Sequence, residues 1–441
     1  MKQKLLVIAL CICIAIQGFS QIINLDFPKL SGNEAWIYTF TGNHVDSTQV
    51  ILDKNGKAIY TLPHNNYKGI AYVYVPQKGG GELIIAEKQV AIHCADERFN
   101  ANSLVFPQSE ENMFLRYIFE RKNFLTQKQE WLKAGSLFIE AKSPFAATLH
   151  TLQNENTLAI KQFNDSVKQS TLYAAQYSQL TDFMQKLYAT VQKPDRTQFE
   201  ELKNEMERTL PIEALYHAGN LWINVHNYYP GLFVTNVTQD AQEAYAQSII
   251  VTMQRLQEPV FTKFFLSAIN ACERSNLQIA IDKLSTYMIE NHPARVEGDF
   301  QLRRLQQANN VKQGSKAPEI AGLKTPLNQA ALVIFFESDC GHCKHELEEL
   351  GKNAPLFQSK GYRIISIAAD VDAANYKAVA QNFKWNKDDQ LCDFKGFDGE
   401  NFKRFAVGAT PTIFLISTEG NIVGKYAQVA EIVGKLSEPG F

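Results

Sequence analysis

The fold of the C-terminal part is decided by residues 332–344, which read LVIFFESDCGHCK. The first five residues are all apolar, which is typical of a short strand buried on both faces of a sheet. Two cysteines separated by two residues follow after a short connection, and residues 344–351 have the composition of a helix. This order places Cys340 and Cys343 at the junction between a buried strand and the N-terminus of a helix.

The position of this cysteine pair predicts its chemistry. A cysteine at a helix N-terminus meets free backbone N–H groups and the positive end of the helix dipole, which both favour the reactive thiolate. Two intervening residues let the second sulfur reach the first within one helical turn, so the pair can close and reopen a disulfide. We expect Cys340, at the exposed tip, to be the nucleophile, and Cys343, one turn inside, to resolve the mixed disulfide.

Other kinds of CxxC site are alternatives to a redox-active cysteine pair. Haem attachment needs CxxCH, and residue 344 is Lys. Structural zinc usually needs four ligands, and Cys392, His342 and His345 lack the spacing of a second ligand pair. A zinc site and a purely structural disulfide remain the alternatives, and we expect neither a metal nor an organic cofactor.

Further features of the C-terminal part fit the same fold. Apolar runs at 362–368 and 412–416 alternate with helical stretches that begin near Cys343 and Ala373. Continuous apolar strands alternating with helices predict an α/β sheet covered on both faces. We assign this domain to residues 313–441.

Several short motifs accompany the cysteine pair. They are GSKAP at 314–318, Glu346 three residues after the second cysteine, ATPT at 409–412 before the third apolar run, and Gly420 at the next turn. Together with the strand and the CxxC pair, they resemble the thioredoxin-fold domain of the TlpA/ResA-type thiol-disulfide oxidoreductases, over about the last 130 residues.

The resemblance implies roles for three more residues. It implies a cis peptide at Pro411 facing the cysteine pair, with the backbone of Thr410 offered to an extended substrate. It also implies that Glu346 handles the proton of Cys343, although a solvated glutamate on the helix surface is the alternative. Without the cysteines, Pro411 would read as an ordinary proline at the start of a strand.

The residues beside the pair bear on the direction of electron flow. His342 can favour the Cys340 thiolate, which makes a dithiol couple more oxidising, and Gly-His is also the dipeptide of protein disulfide isomerase. Asp339 opposes the thiolate by its negative charge, and the surrounding domain resembles reductases. We favour reduction of protein disulfides, with oxidation or isomerisation as the alternative.

Two regions with different sequence patterns precede this domain. Residues 21–107 are rich in short β-type runs with an Asn55-Gly56 turn signal, which predicts an antiparallel β-sandwich-like domain in which Cys94 is buried. Residues 108–312 have helical periodicity from a cap at Ser109 onward, interrupted by prolines, which predicts an all-helical region of six to nine helices. Cys272 is expected in its core, and pairing with Cys94 stays open.

Residues 1–20 have the layout of a secretory signal peptide. A basic start precedes a twelve-residue apolar run, and Gly18 and Ser20 suit a cut before Gln21. An uncleaved anchor is the alternative. We therefore expect export to the periplasm or cell envelope, and a mature chain with five of the seven cysteines.

Length and composition limit the remaining classes. The 441 residues exceed one hydrophobic core, so we expect a multidomain α+β protein. With 45% hydrophobic residues and a formal net charge of −2, the chain is neither disordered nor a multi-span membrane protein, and no basic surplus points to nucleic acid. We expect protein thiols or disulfides and a redox partner to bind, and a homodimer through the N-terminal regions is possible. A binding or assembly protein with a subsidiary redox domain is the third hypothesis.

Overall fold

The structure is a computed structural model that describes residues 20–63, 66–99, 103–140, 142–234 and 238–436. The chain divides into two compact units, Met1–Ile281 and Asp282–Phe441. Apart from Ser20, the predicted signal peptide lies outside the described residues. The domain boundaries at residues 107 and 312 stay predictions.

The N-terminal unit begins with two β-sheets. Its described strands are β1 (Ile22–Asp26), β2 (Glu34–Thr41), β3 (His44–Ile51), β4 (Lys57–Thr61), β5 (Gly69–Val75), β6 (Gly79–Ile85) and β7 (Gln89–His93). One sheet has the order β4-β1-β7 and the other β3-β2-β5-β6. All pairs are antiparallel except β1–β7, which is parallel.

The inner faces of these two sheets share one hydrophobic core. Ile23 and Leu25 of β1 and Ile92 of β7 come from one sheet, and Ile37 and Val73 come from the other. Each is at most 2% exposed. The alternation of buried and exposed positions along the strands therefore builds the predicted sandwich.

Strand β6 begins with three consecutive glycines, Gly79, Gly80 and Gly81. A Cβ on Gly80 would lie 2.5 Å from the carbonyl oxygen of Val73 on the neighbouring strand, and Gly79 has φ +102°. Side chains therefore do not fit here, and the strand begins within the glycine run because its backbone lies close to its neighbours.

Helices follow the sheets. In the described residues between 108 and 312 they are α1 (Glu110–Ser136), α2 (Pro144–Lys168), α3 (Tyr173–Gln192), α4 (Arg196–Asn204), α5 (Ile212–Leu215), α6 (Asn220–Tyr228), α7 (Pro230–Phe233), α8 (Gln239–Met253), α9 (Val260–Arg274), α10 (Gln278–Asn291), α11 (Pro293–Gly298) and α12 (Phe300–Asn310). A π-helical turn, Glu205–Thr209, follows α4.

The prediction of six to nine helices was too low for this region. Three of the twelve described helices, α5, α7 and α11, have only four to six residues, and each begins at or directly after a proline. Proline suits the first turn of a helix but cannot continue the preceding one. Each such proline therefore separates a short helix that periodicity alone does not distinguish from its neighbours. The cap at Ser109 is confirmed, because its side chain accepts a hydrogen bond from the Asn112 N–H.

The C-terminal unit contains a five-stranded sheet. Its described elements are β8 (Ala331–Phe336), α13 (Gly341–Ser359), β9 (Arg363–Ala368), α14 (Ala373–Ala380), β10 (Gln390–Cys392), α15 (Glu400–Arg404), β11 (Thr412–Ile416), β12 (Ile422–Tyr426) and α16 (Val429–Leu436). The strand order is β10-β9-β8-β11-β12. Strands β8, β9 and β10 are parallel, whereas β11 is antiparallel to both β8 and β12.

Strand β8 lies at the centre of this sheet and is buried on both faces. Leu332, Ile334 and Phe336 face the core that α13 and α16 cover, whereas Val333 and Phe335 face the core that contains α15. All five side chains are 0% exposed. The predicted fold class is confirmed: a β-rich part, a helical part and an α/β domain of the thioredoxin type. None of the helices in the described part of the chain is long and apolar enough to cross a membrane.

Candidate active site at the start of helix α13

The first cysteine of the pair caps helix α13. Strand β8 ends at Phe336, a four-residue connection follows, and Cys340 is the N-cap residue with extended backbone angles. Its Sγ accepts a hydrogen bond from the Cys343 N–H at 3.3 Å. The sulfur thus occupies the place of the usual Ser or Asp cap, where negative charge is stabilised by a free N–H and the helix dipole.

The second cysteine lies one turn further along, inside the domain. Cys343 is 0% exposed and packs in the core beneath α13. Burial raises the pKa of its thiol to about 11, and its hydrogen bond with Cys340 acts in the same direction. Hydrogen bonds with the backbone of Glu337 and the side chain of Thr410 act in the opposite direction. Both cysteines are free thiols, the outer one half-buried and the inner one fully buried.

The loop before strand β11 lies beside this pair. The peptide bond between Thr410 and Pro411 is cis. Thr412 pairs with Phe335 in the antiparallel register of β11 and β8, which brings residues 409–411 next to the connection that carries Cys340. The hydroxyl of Thr410 donates a hydrogen bond to Oε2 of Glu337 at 2.9 Å.

Glu337 was missed by the sequence analysis. It directly follows the last residue of β8 and is half-buried. One signal was available in the sequence: an acidic residue directly follows a strand that is buried on both faces. Such a residue lies at the edge of the core. Its contact with Thr410 depends on a residue 73 positions away and could not be read from the sequence.

Glu346 is buried on helix α13, three residues after Cys343, and its proton-handling role stays a prediction. Its side chain belongs to the buried face of α13, and Oε2 accepts a hydrogen bond from the Val429 N–H at 2.7 Å. Val429 is the first residue of α16, so the carboxylate caps that helix and complements its dipole. The contact shown for Glu346 is therefore with the helix that covers this face of the sheet.

We predict that Glu346→Ala destabilises the C-terminal unit by about 1–3 kcal/mol, because a buried backbone N–H loses its charged partner. Glu346→Gln keeps an acceptor oxygen and should cost less than about 1 kcal/mol. Urea unfolding of the two variants and the parent chain measures both values. Equal stability of all three proteins would contradict the capping role.

The charged residues nearest to the cysteines in sequence are on the surface. Asp339 lies in the turn before Cys340, and His342 lies in the first turn of α13, and both are exposed. Their opposite effects on the Cys340 thiolate, and so on the redox potential of the Cys340–Cys343 pair, stay predictions.

A hydrogen-bonded pair fixes the connection between β8 and α13. The N–H and hydroxyl of Ser338 both donate to the carboxylate of Asp370, at 3.2 and 2.7 Å. Asp370 follows the end of β9, so this buried pair ties the cysteine-bearing connection to the neighbouring strand. Cys392, a half-buried free thiol, donates to the carbonyl oxygen of Asp370 at 3.5 Å.

The other two described cysteines are structural. Cys94 and Cys272 are both free thiols and 0% exposed, so the pairing left open by the sequence does not occur. Burial raises the pKa of Cys272 to about 12, which keeps it neutral. Among the described residues, no three His, Cys, Asp or Glu side chains come together as a metal site would require.

The C-terminal part matches a known protein family. Residues 305–425 match the model of the AhpC/TSA family. This match and the fold are consistent with the predicted resemblance, which concerns the C-terminal domain alone. The match covers less than a third of the chain, and no curated protein matches.

Several solved structures are similar to part of the chain. One is a thiol-disulfide oxidoreductase from Bacteroides fragilis, at 26% identity over 28% of this chain and 97% of that chain, with a TM-score of 0.25. Another is the thioredoxin domain of a thiol-disulfide oxidoreductase from Bacteroides vulgatus, at 24% identity over 29% and 98%, with a TM-score of 0.25. A third is a thiol:disulfide interchange protein from Bacteroides sp., at 24% identity over 29% and 89%, with a TM-score of 0.25.

Proposed function

We propose that this chain is an exported thiol-disulfide oxidoreductase that reduces protein disulfides through Cys340 and Cys343. The observation that carries the proposal is the pairing of a half-buried sulfur on the N-terminus of α13 with a fully buried thiol one turn away. The outer sulfur is accessible and lies at the N-terminus of the helix, whereas the inner thiol is buried and can be reached only from the outer sulfur.

The proposed reaction transfers two electrons to the substrate. The Cys340 thiolate attacks one sulfur of the substrate disulfide, that S–S bond breaks, and the other substrate sulfur leaves as a thiolate that takes a proton. Cys343 then loses its proton and attacks Cys340 Sγ, which releases the second substrate sulfur and closes the Cys340–Cys343 disulfide. The substrate gains two electrons and two protons, and a separate reduced thiol partner must reopen the pair.

The loop of Thr410 and Pro411 is proposed to hold the substrate. It lies beside the connection that carries Cys340, on the side of strand β11. An extended polypeptide can pair with the backbone of such a loop in β fashion, which places its disulfide over the outer sulfur. The signal-peptide pattern of residues 1–20 supports export to the periplasm or cell envelope.

The preferred direction can be measured as an equilibrium. We expect the couple of Cys340 and Cys343 to have a potential near or below about −270 mV, as a reductase requires, when the full chain is equilibrated with mixtures of reduced and oxidised glutathione. A value between about −120 and −180 mV would instead assign oxidation or isomerisation, which His342 favours.

A turnover measurement completes this test. The full chain, supplied with excess dithiothreitol, should accelerate the reduction of a protein disulfide above the rate of dithiothreitol alone. No acceleration with any disulfide substrate would contradict the proposal.

A further inference from the structure

Helices α1 and α2 form a hairpin whose outer half is exposed. Leu125 on α1 and Asn156 on α2 are buried, but none of the described residues between them is. In this outer half the two helices contact each other, and the Gln153 side chain donates a hydrogen bond to the Leu132 carbonyl oxygen at 3.0 Å. The described residues of 126–155 are therefore a pair of helices in solvent.

Large apolar side chains are concentrated at the end of this outer half. Phe138 and Leu137, in the connection between the helices, are 87% and 82% exposed, more than any other large apolar side chain in the part of the chain that the structure describes. Trp131 on α1 and Phe145 on α2 are 74% and 71% exposed. We call these four residues the apolar tip. An exposed apolar group of this size indicates a binding surface.

Backbone groups beside the apolar tip are hydrogen-bonded within the hairpin. The N–H groups of Leu137 and Phe138 donate to carbonyl oxygens of the last turn of α1, at 3.1 and 3.2 Å. Ser143 caps α2, because its Oγ accepts a hydrogen bond from the Phe145 N–H at 3.3 Å. These N–H groups do not need water as a partner, which lowers the cost of moving the tip into an apolar medium.

The dimensions of the outer half indicate what kind of partner fits it. Beyond its last buried residue, α1 continues from Thr126 to Ser136, which is about 16 Å at 1.5 Å per residue. One face of two such helices has an area of roughly 300 Å², whereas each partner of a stable protein interface contributes about 800 Å². Leu137 and Phe138 are consecutive and both almost fully exposed, so one flat face does not cover both. A medium that surrounds the tip does.

The residue types of the apolar tip match the surface of a phospholipid bilayer. Apolar side chains of peripheral proteins enter to a depth of about 5–10 Å, and tryptophan prefers the level of the headgroups. Trp131 lies six residues before Leu137, which is about 9 Å along a helix. It therefore reaches the headgroup level when Leu137 and Phe138 are inserted.

The charges around the tip favour anionic headgroups. Lys133 and Lys142 are exposed and lie before and after Leu137 and Phe138 in the chain, and Glu140 is the one acidic residue between them. The aliphatic part of a lysine side chain can lie along apolar surface while its ammonium group reaches a phosphate. The balance of one positive charge gives a modest preference for an anionic surface.

We propose that the apolar tip inserts into the surface of a phospholipid bilayer and holds the chain there as a peripheral protein. Insertion ends at the level of Trp131, so it requires no membrane-crossing helix, and the described part of the chain has none. The inference concerns the N-terminal unit and does not depend on the chemistry of Cys340 and Cys343.

Vesicle binding measures this insertion. The chain from Gln21 onward is mixed with vesicles of equal parts phosphatidylcholine and phosphatidylglycerol, and the bound fraction is measured by sedimentation. Residues 1–20 are left out because their apolar run binds lipid by itself, and this removes no described residue except Ser20. We expect the double variant Leu137→Ser, Phe138→Ser to lower the partition coefficient at least about tenfold, because binding scales with the apolar area that enters the bilayer.

A matched double variant changes the same residue types near the base of the hairpin. Phe124 and Leu158, on α1 and α2, are each about half exposed, and Phe124 lies about 20 Å from the tip along α1. Phe124→Ser, Leu158→Ser should therefore keep the partition coefficient within about twofold of the parent value. Circular dichroism checks that both double variants keep the parental helix content.

The fluorescence of Trp131 reports its depth. Phosphatidylcholine brominated on its acyl chains should quench this fluorescence when the chain is bound to vesicles, because the side chain reaches the boundary of the acyl region. Trp131→Phe should remove the quenching and keep the partition coefficient within about threefold. Trp222 and Trp385 are buried and should not respond.

Two results would overturn the inference. The first is that the parent chain does not bind the vesicles, or that the two double variants bind them equally well. The second is that light scattering shows a dimer of the parent chain which the Leu137→Ser, Phe138→Ser variant loses, with no binding to vesicles, because the tip would then bind a second copy. Either result leaves the proposed redox function standing, since turnover of a disulfide substrate is measured without lipid.

Discussion

Cys340→Ser is expected to abolish the reduction of protein disulfides by the full chain. The serine hydroxyl is not ionised at neutral pH, so it cannot attack a disulfide even when it accepts the N–H of residue 343 as a helix cap. Cys343 cannot take over, because it is 0% exposed and its pKa is raised to about 11. We expect the rate in excess dithiothreitol to fall by about 10³-fold or more, to that of dithiothreitol alone.

Cys392→Ser is the matched control for this variant. Cys392 is also a half-buried free thiol of the C-terminal unit, but it is bonded to the Asp370 carbonyl rather than placed on a helix N-terminus. Its replacement should leave the rate within about twofold of the parent chain. Undiminished turnover by a folded Cys340→Ser protein would show that the chemistry lies elsewhere.

The elements that the sequence predicted best are those whose signals are local. The run 332–336 differs from β8 by one residue, and the run 412–416 coincides with β11. Such strands are buried on both faces, so all their residues except Thr412 are apolar, and the limits of the run are close to the limits of the strand. The position of Cys340 as a helix cap could also be predicted from local sequence, because the strand, the connection and the helix follow one another directly along the chain.

The parts of the site that could not be predicted depend on distant partners. Glu346 and Glu337 are both acidic residues close to the cysteines, and nothing in the sequence distinguishes their environments. The structure pairs Glu346 with the backbone of Val429, 83 residues away, and Glu337 with the hydroxyl of Thr410, 73 residues away. Which group each carboxylate contacts is therefore a property of the packed sheet and its covering helices rather than of the CxxCxxE spacing.

The second large effect is expected from Cys343→Ser, which should hold the substrate on Cys340 as a mixed disulfide. The backbone N–H of residue 343 that bonds with Cys340 Sγ is unchanged by this substitution, so the first attack should proceed at nearly the parental rate. The second attack cannot occur, because a buried serine hydroxyl is neither ionised nor nucleophilic towards a disulfide. The adduct should therefore accumulate to about one substrate per chain.

Mass spectrometry of the intact protein under non-reducing conditions measures this adduct after incubation with a purified disulfide protein. The expected species has the summed mass of the two chains and disappears on reduction. The parent chain should show little of it, since Cys343 resolves it, and a Cys340→Ser, Cys343→Ser double variant should show none. The trap requires an outer sulfur that attacks and an inner one that resolves. Two results would therefore contradict this division of roles between the cysteines: a Cys343→Ser chain that forms no adduct, or one that releases its substrate at the parental rate.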